Sequence, residues 1–273
     1  MNATIRRIIE PLLESLLSLA NRSPDRMTHP VALRQLIGKL APVKANTELI
    51  RLGPSGDGGY LVPDDLVGID FCFSPGVSFV SGFEKDCAEK GMKVFLADRS
   101  VDGPAENDPL FSFTKHFIGA FPDEGYLTLD GWVTDSIPSK DSELMLQIDI
   151  ENYEYEVFLS ASEALMKRFR IIVVEFHELD KLYRSSFFGF AGRAFEKILT
   201  THTCVHIHPN NVFSPVKHHG LVIPPIMEMT FVRNDRLNND KSFTSDFPHP
   251  LDADCTNNPS LVLPSCWQGA SQS

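Results

Sequence analysis

The stretch from Ile69 to Asp98 constrains the fold of this 273-residue chain more than any other. A short apolar run, Ile69 to Ser74, stops at Pro75-Gly76; a helically spaced segment, Phe79 to Lys90, follows; a second apolar run, Lys93 to Ala97, stops at Asp98. Strand, glycine turn, helix, strand and acid, in that order, open a dinucleotide-type βαβ unit. The alternation continues downstream. Strands are predicted over Ser112 to Ile118, Glu143 to Ile150, Arg170 to Phe176, Thr203 to His208 and Met227 to Arg233, and helices over Glu154 to Lys167 and Phe187 to Thr200. Such a chain is expected to form an α/β, Rossmann-like fold with a mostly parallel seven-stranded sheet and helices on both faces. Little helix separates the last two strands, which predicts an antiparallel edge.

Around this core, residues 1–43 read as a helical extension, two helices parted by the polar stretch Asn21 to Pro30; 44–236 form the α/β domain, and 237–273 an extended tail lying on it. Phe247, Leu251, Leu261, Leu263 and Trp267 are the expected anchors of the tail. Leu49 to Pro63 reads as a glycine-rich loop that presents Asp57 and Tyr60.

A net charge of −11 argues against nucleic acid as a partner, because phosphate backbones are bound through clusters of Lys and Arg. The five cysteines are scattered and include no C-x-x-C pair, which points to a reducing, cytoplasmic setting without a disulfide framework. Arg6, Arg7, Glu10, Pro11 and Glu14 interrupt the apolar run Ile5 to Ala20, so an amphipathic helix is expected there and not a transmembrane segment. Its apolar face would pack on the domain or on a second copy, giving a homo-oligomer through the N-terminal helices.

Four segments carry chemistry. In Ser74-Pro75-Gly76-Val77-Ser78 the glycine lets a backbone touch a nucleotide-bearing cofactor, and Asp98, 22 residues beyond Gly76, sits where an acid accepts hydrogen bonds from ribose hydroxyls. A dinucleotide needs several glycines around its pyrophosphate and here there is one, which favours S-adenosylmethionine, a cofactor without phosphate, over NAD. Asp149 and Glu151 follow a buried strand and are expected on one side of an extended backbone, with Glu154 only charging the first turn of the next helix. Glu175 and His177 end the next strand, and His206 and His208, followed by Asn210, end the one after, each pair on one face. Acids and imidazoles at buried strand ends need partners. Together Asp149, Glu175, His177, His206 and His208 are therefore the candidates for a general base. Asp149 and Glu175 are also candidate ligands for a divalent cation, Mg or Mn.

These segments resemble the FkbM-type S-adenosylmethionine-dependent methyltransferases, of the Rossmann-like class I fold. The matching pieces are Arg51-Leu52-Gly53 with Asp57-Gly58-Gly59-Tyr60, Ser74 to Ser78 with Phe83-Glu84-Lys85-Asp86, Leu96-Ala97-Asp98, Thr128-Leu129-Asp130, Gln147 to Glu151, Glu175-Phe176-His177, His206 to Asn211, and Phe247 to Asp252. The resemblance implies O-methylation of a hydroxyl on a sugar, glycan or natural-product acceptor. It implies that Gly76, Val77, Ser78, Asp98 and Arg99 hold the cofactor and that Asp149, Glu175, His177 and His208 face the acceptor, with Asp57, Tyr60, Glu151, His206 and Asn210 as further acceptor contacts. His177 or His208 is the expected base, since an imidazole of pKa ~6.5 takes a proton at neutral pH. Two positions depart from the family pattern: the first turn lacks the D-x-G-x-N form, and Asn152 stands where Gly is usual. The competing expectations are an NAD-type oxidoreductase, from the βαβ opening, and a non-catalytic methyltransferase-fold binding protein, from the two departures.

Overall fold

The computed structural model describes residues 25–239, 242–245 and 247–269. Seven strands build its main sheet: β1 (Ile69–Pro75), β2 (Lys93–Ala97), β3 (Phe111–Thr114), β4 (Glu143–Ile148), β5 (Phe169–Phe176), β6 (His202–Pro209) and β7 (Met227–Arg233). They lie in the order β6-β7-β5-β4-β1-β2-β3. The β1–β2, β1–β4, β2–β3 and β4–β5 pairs are parallel, whereas β7 runs antiparallel to both β5 and β6. The expected mostly parallel α/β sheet is thus present. The last two strands, β6 and β7, pair antiparallel and form one edge of the sheet, as expected. The cause is the connection after β6, which holds only a small hairpin (Val216–His218 with Leu221–Ile223) and no crossover helix, so the chain must return antiparallel.

Residue type explains why β4 and β5 are central. Leu144 to Ile148 and Phe169 to Phe176 are buried throughout, as strands covered on both faces must be. Successive residues feed two apolar clusters. Phe73, Leu146, Ile172 and Val174 join Trp132, Phe158 and Phe195 in one; Cys72, Met145, Ile171 and Val173 join Phe83 and Cys87 in the other. Each fully buried side chain of this size contributes ~1.5–3 kcal/mol of transfer free energy, so the two clusters clamp the sheet and fix where its carboxyl edge falls.

Among the described residues six helices frame it: α1 (Pro30–Leu40), α2 (Gly82–Glu89), α3 (Leu129–Ser136), α4 (Glu154–Ser160), α5 (Glu163–Met166) and α6 (Ser185–Thr201). In α1 proline occupies the first helical position, the His29 ring accepts the Val31 amide at 3.3 Å, and Leu33, Leu36, Ile37 and Leu40 form the buried stripe. The first expected helix lies outside the described residues, and so does the proposed oligomer contact on it. Among the described residues no helix is long and apolar enough to cross a membrane.

Several local expectations change for identifiable reasons. The helix predicted over Glu154 to Lys167 is two helices, because Ser162 restarts it as an N-cap, accepting the Leu165 amide at 3.1 Å while its own amide donates to Asp130. The strand predicted over Ser112 to Ile118 breaks after Thr114, and Phe117–Gly119 pairs instead with Tyr126–Thr128. Leu49 to Pro63 is a hairpin, Leu49–Leu52 against Tyr60–Pro63, and not a loop. It packs onto the second apolar cluster through Leu52, Tyr60 and Val62.

The tail is tied down at its far end. Leu263 and Trp267 are buried, and the indole Nε1 donates to the Val222 carbonyl at 3.0 Å, whereas Leu251, another expected anchor, is exposed. Trp267→Ala leaves a cavity and removes the indole hydrogen bond to the Val222 carbonyl. It should lower unfolding stability by ~3–5 kcal/mol, and an unchanged urea midpoint would show that the tail does not anchor there.

Candidate active site

The carboxyl ends of β1, β2, β4 and β5 converge on one edge of the sheet, where ligands of open α/β folds bind. After β1 the chain turns at Gly76 with φ 95°, a conformation that disfavours a side chain. A Cβ there would also collide with the carbonyl oxygen of Asp149, so the glycine is required by the approach of the β4 end as well as by any ligand. The Gly76 amide donates to the Ala97 carbonyl at 3.1 Å, bonding the turn to β2. Beneath it, the Ser74 hydroxyl lies 2.6 Å from both Glu84 Oε1 and Gln147 Oε1, all three side chains buried. Sequence reasoning assigned this knot no role, although all three residues belong to family-like segments.

Asp98 is fixed by its neighbours. Its Oδ2 accepts the Val77 amide at 3.1 Å, and its Oδ1 accepts the amide and the hydroxyl of Ser100, both at 2.6 Å. Gly76, Val77, Ser78, Asp98, Asp149 and Glu151 line a cavity of about 500 Å³, large enough for a nucleoside cofactor. Phe117, Ile118 and Tyr126 add an apolar wall suited to a base. The helix α2 starts only at Gly82, which does not line the cavity, so no helix N-terminus is offered for a pyrophosphate. Arg99 does not reach in. Its guanidinium packs against Gly125 and donates to the Glu124 carbonyl at 2.8 Å.

At the other end of the cavity, β4 leads into a strained turn. Glu151 and Asn152 have φ 53° and 83°, and not the extended backbone that alternation predicts. Asparagine tolerates this region better than most side chains, which explains how Asn152 stands in place of the usual glycine. Glu154 shapes the turn. It is fully buried, and its Oε1 accepts the amides of Ile150 and Asn152 at 3.1 and 3.2 Å and contacts His177 Nδ1 at 3.1 Å. The expectation that Glu154 merely charges a helix start therefore fails, because the loop folds back over its carboxylate.

His177 Nε2 faces three further acids: Asp149 at 3.8 Å, Glu151 at 3.6 Å and Glu175 at 3.8 Å. Burial alone would lower the pKa of its imidazole, but the Glu154 hydrogen bond and the surrounding carboxylates outweigh that and push it up to about 9. Burial raises the Asp149 carboxyl to about 7, with Glu154, Glu151 and Asp57 adding to the rise and His177 opposing it. Burial and the charges of Asp149 and Glu228 lift Glu175 well above the ordinary range. Asp149, Glu151 and His177 each bring one ligand atom within 4.8 Å of the others, a group able to hold a cation. Glu175, expected to share that role with Asp149, instead accepts the Asn210 side-chain amide at 3.0 Å.

The match to known families falls on this half of the site. Residues 125–199 match the methyltransferase FkbM domain. The resemblance read from the sequence thus holds across α3, β4, α4, α5, β5 and most of α6, and it supports a methyltransferase. No curated protein matches the chain. The FkbM-type segment carries Asp149, Glu151, Glu154, Glu175 and His177, while the Gly76 turn and Asp98 precede it.

Beyond the FkbM-type segment, the remaining candidates are placed as follows. His206 and His208 share a face, as alternation predicts, and both contact Asp252 of the tail, through Nε2 at 2.8 Å and Nδ1 at 3.4 Å. Burial opposes but does not prevent these two imidazoles from holding the Asp252 carboxyl far below the carboxylate range. Asn210 is buried under its own turn, Tyr60 is buried edge-on against Phe83 at 5.6 Å, and Asp57 is exposed at the hairpin tip.

Glu228 on β7 lies opposite Glu175 and was not singled out from the sequence. Burial raises its carboxyl from 4.5 to about 8. The folded protein thus keeps a proton that the unfolded chain releases above about pH 4.5, so this contribution to stability is full below 4.5 and lost as pH rises through about 8. Glu228→Gln, which mimics the neutral acid, should be more stable than the wild type by ~1–3 kcal/mol at pH 8.5 and nearly equal to it at pH 4.5. Parallel melting curves at the two pH values would refute this if the difference did not change.

Proposed function

We propose that the protein is an S-adenosylmethionine-dependent O-methyltransferase acting on a hydroxyl of a sugar, glycan or natural-product acceptor. The observation that carries this reading is the cavity whose one end is the Gly76 turn with Asp98 and whose other end is Asp149, inside the segment that matches the FkbM domain. Its residues suit the cofactor: Asp98 for the ribose hydroxyls, Phe117, Ile118 and Tyr126 for the adenine, and Asp149 and Glu151 for the cationic end. Bound there, S-adenosylmethionine would supply a methyl group activated by its sulfonium. The turn's single glycine and the remote start of α2 weigh against an NAD enzyme.

The protein then has to align a hydroxyl oxygen and accept its proton. Asp149 suits the proton-accepting role better than His177 or His208. A carboxyl near pH 7 is substantially ionised at neutral pH, whereas an imidazole raised to about 9 is already protonated and His208 does not line the cavity. In this scheme the acceptor's O–H proton passes to an Asp149 carboxylate oxygen. The His177 imidazolium, held by Glu154, steadies the carboxylate. A variant is favoured by the Asp149, Glu151 and His177 group: once the imidazole gives up its proton these residues would hold a divalent cation, the nitrogen favouring Mn over Mg, and the cation would polarise an acceptor hydroxyl.

Titration calorimetry should register S-adenosylhomocysteine and not NAD; binding of NAD alone would overturn the methyltransferase reading. Asp149→Asn should lower kcat ~100-fold at saturating cofactor, the lower range of general-base effects. Full turnover in this variant would remove Asp149 as the base. If a cation takes part, a chelator should abolish turnover and Mn should restore it, and activity untouched by the chelator would eliminate the cation.

A further inference from the structure

A second cleft, of about 520 Å³, adjoins the cofactor cavity, and Glu151 lines both. His177, Glu178 and Asp180 line it on the β5 side, and Phe213 lines it on the side of the loop after β6. Phe213 is 57% exposed, yet its loop is fixed from two directions. From below, the Asn210 amide donates to the Ile226 carbonyl at 3.1 Å, its side chain donates to Glu175 at 3.0 Å, and its Oδ1 accepts the Val212 amide at 2.9 Å. From the tail, Asn258 Nδ2 donates to the Asn211 carbonyl at 3.1 Å, and Asn211 Nδ2 donates to the carbonyls of Thr256 and Asn258 at 3.1 and 2.8 Å. An apolar ring held out toward solvent by the buried Asn210 and Asn211 is pre-organised for contact with a ligand.

Across the cleft, Glu151 and Glu178 have φ 53° and 57°. Left-handed backbone at two non-glycine residues costs free energy and collects at ligand sites. Glu151 is the third residue after β4 and Glu178 the second after β5, and both line the cleft with His177, so the strained turns set two carboxylates in its wall. Carboxylates accept charge-assisted hydrogen bonds from hydroxyls, and an aromatic face attracts polarised C–H groups. With Asp180 the two glutamates make three acids in the lining against two cations, Lys181, whose ammonium pairs with Glu178, and the His177 imidazolium, a balance that still disfavours anions.

We propose that this cleft is the acceptor subsite and that it takes a neutral pyranose ring, its C–H face stacked on Phe213 and its hydroxyls held by Glu151 and Glu178. The proposal rests on the methyltransferase reading, since Glu151 places the ring beside the methyl donor. It turns Asn210, Asn211 and Asn258 into positioning residues acting through Phe213.

The test is saturation-transfer NMR on the full chain loaded with S-adenosylhomocysteine, using methyl α-glycosides of glucose, galactose, mannose and rhamnose as probes and glucose 1-phosphate as the anionic control. Ring C–H signals should appear for at least one glycoside, fall at least 10-fold in Phe213→Ala, persist in Phe213→Trp, and stay absent for glucose 1-phosphate. Equal signals in the alanine variant, no glycoside signal in the loaded wild type, or a preference for the phosphate would each overturn the subsite. S-adenosylhomocysteine affinity is measured on the same samples by calorimetry. Its absence would strike the methyltransferase reading itself, whereas normal affinity with a failed glycoside result would strike the subsite alone. Phe213 is too exposed for its loss to unfold the domain, and unchanged cofactor affinity in the variant checks this directly.

Discussion

Carboxylates crowd the carboxyl edge of the sheet, and the His177 imidazolium is the cation around which they gather. It lies within 4 Å of Asp149, Glu151, Glu154 and Glu175. Like charges in a partly dry site cannot all stay ionised unless a counter-charge or protons offset them, and both devices operate here. His177 holds its proton to about pH 9, while Asp149, Glu175 and Glu228 are each shifted toward their neutral forms. An edge arranged this way suits a cationic cofactor better than a phosphate-bearing one. It also places, beside the cavity, a carboxyl whose ionisation falls near neutrality.

The part of this arrangement that could be read from the sequence is the part that is local. The Gly76 turn, Asp98 and the acids ending β4 and β5 follow from apolar runs stopped by ionisable residues, because in a parallel sheet such stops must fall on one edge. What could not be read depends on chain segments meeting across long separations. His206 and His208 looked like acceptor contacts because their strand end carries no visible partner; the partner is Asp252, more than forty residues downstream. Glu154 read as only charging the first turn of its helix because nothing local says that the preceding loop turns left-handed at two residues and drops its amides onto that carboxylate. The break at Ser162 is similar, since the capping serine is visible in the sequence but the Asp130 that holds it is not.

Asn152 shows how a departure from a pattern becomes informative once the backbone is known. As a sequence feature it raised the question of whether the cleft wall was altered. With φ 83° and its amide bound to Glu154, it performs the backbone task of glycine while adding a polar side chain to the wall of the second cleft. The substitution therefore preserves the turn that brings Glu151 between the two cavities and changes only what lines one of them.

The division of the chain between matched and unmatched parts follows from the same geometry. The FkbM-type segment holds the acids and the imidazole, whose mutual distances must be kept for the charges to coexist. The loop after β6 and the tail lie outside it, and between them they hold one cleft wall through asparagine side chains bonded to main-chain carbonyls. Such bonds fix a loop without prescribing which side chain its tip displays. On the acceptor-subsite proposal, a chain built this way can keep its charged centre constant and change the ring presented at position 213, which would make the reaction and the choice of acceptor separable in the sequence.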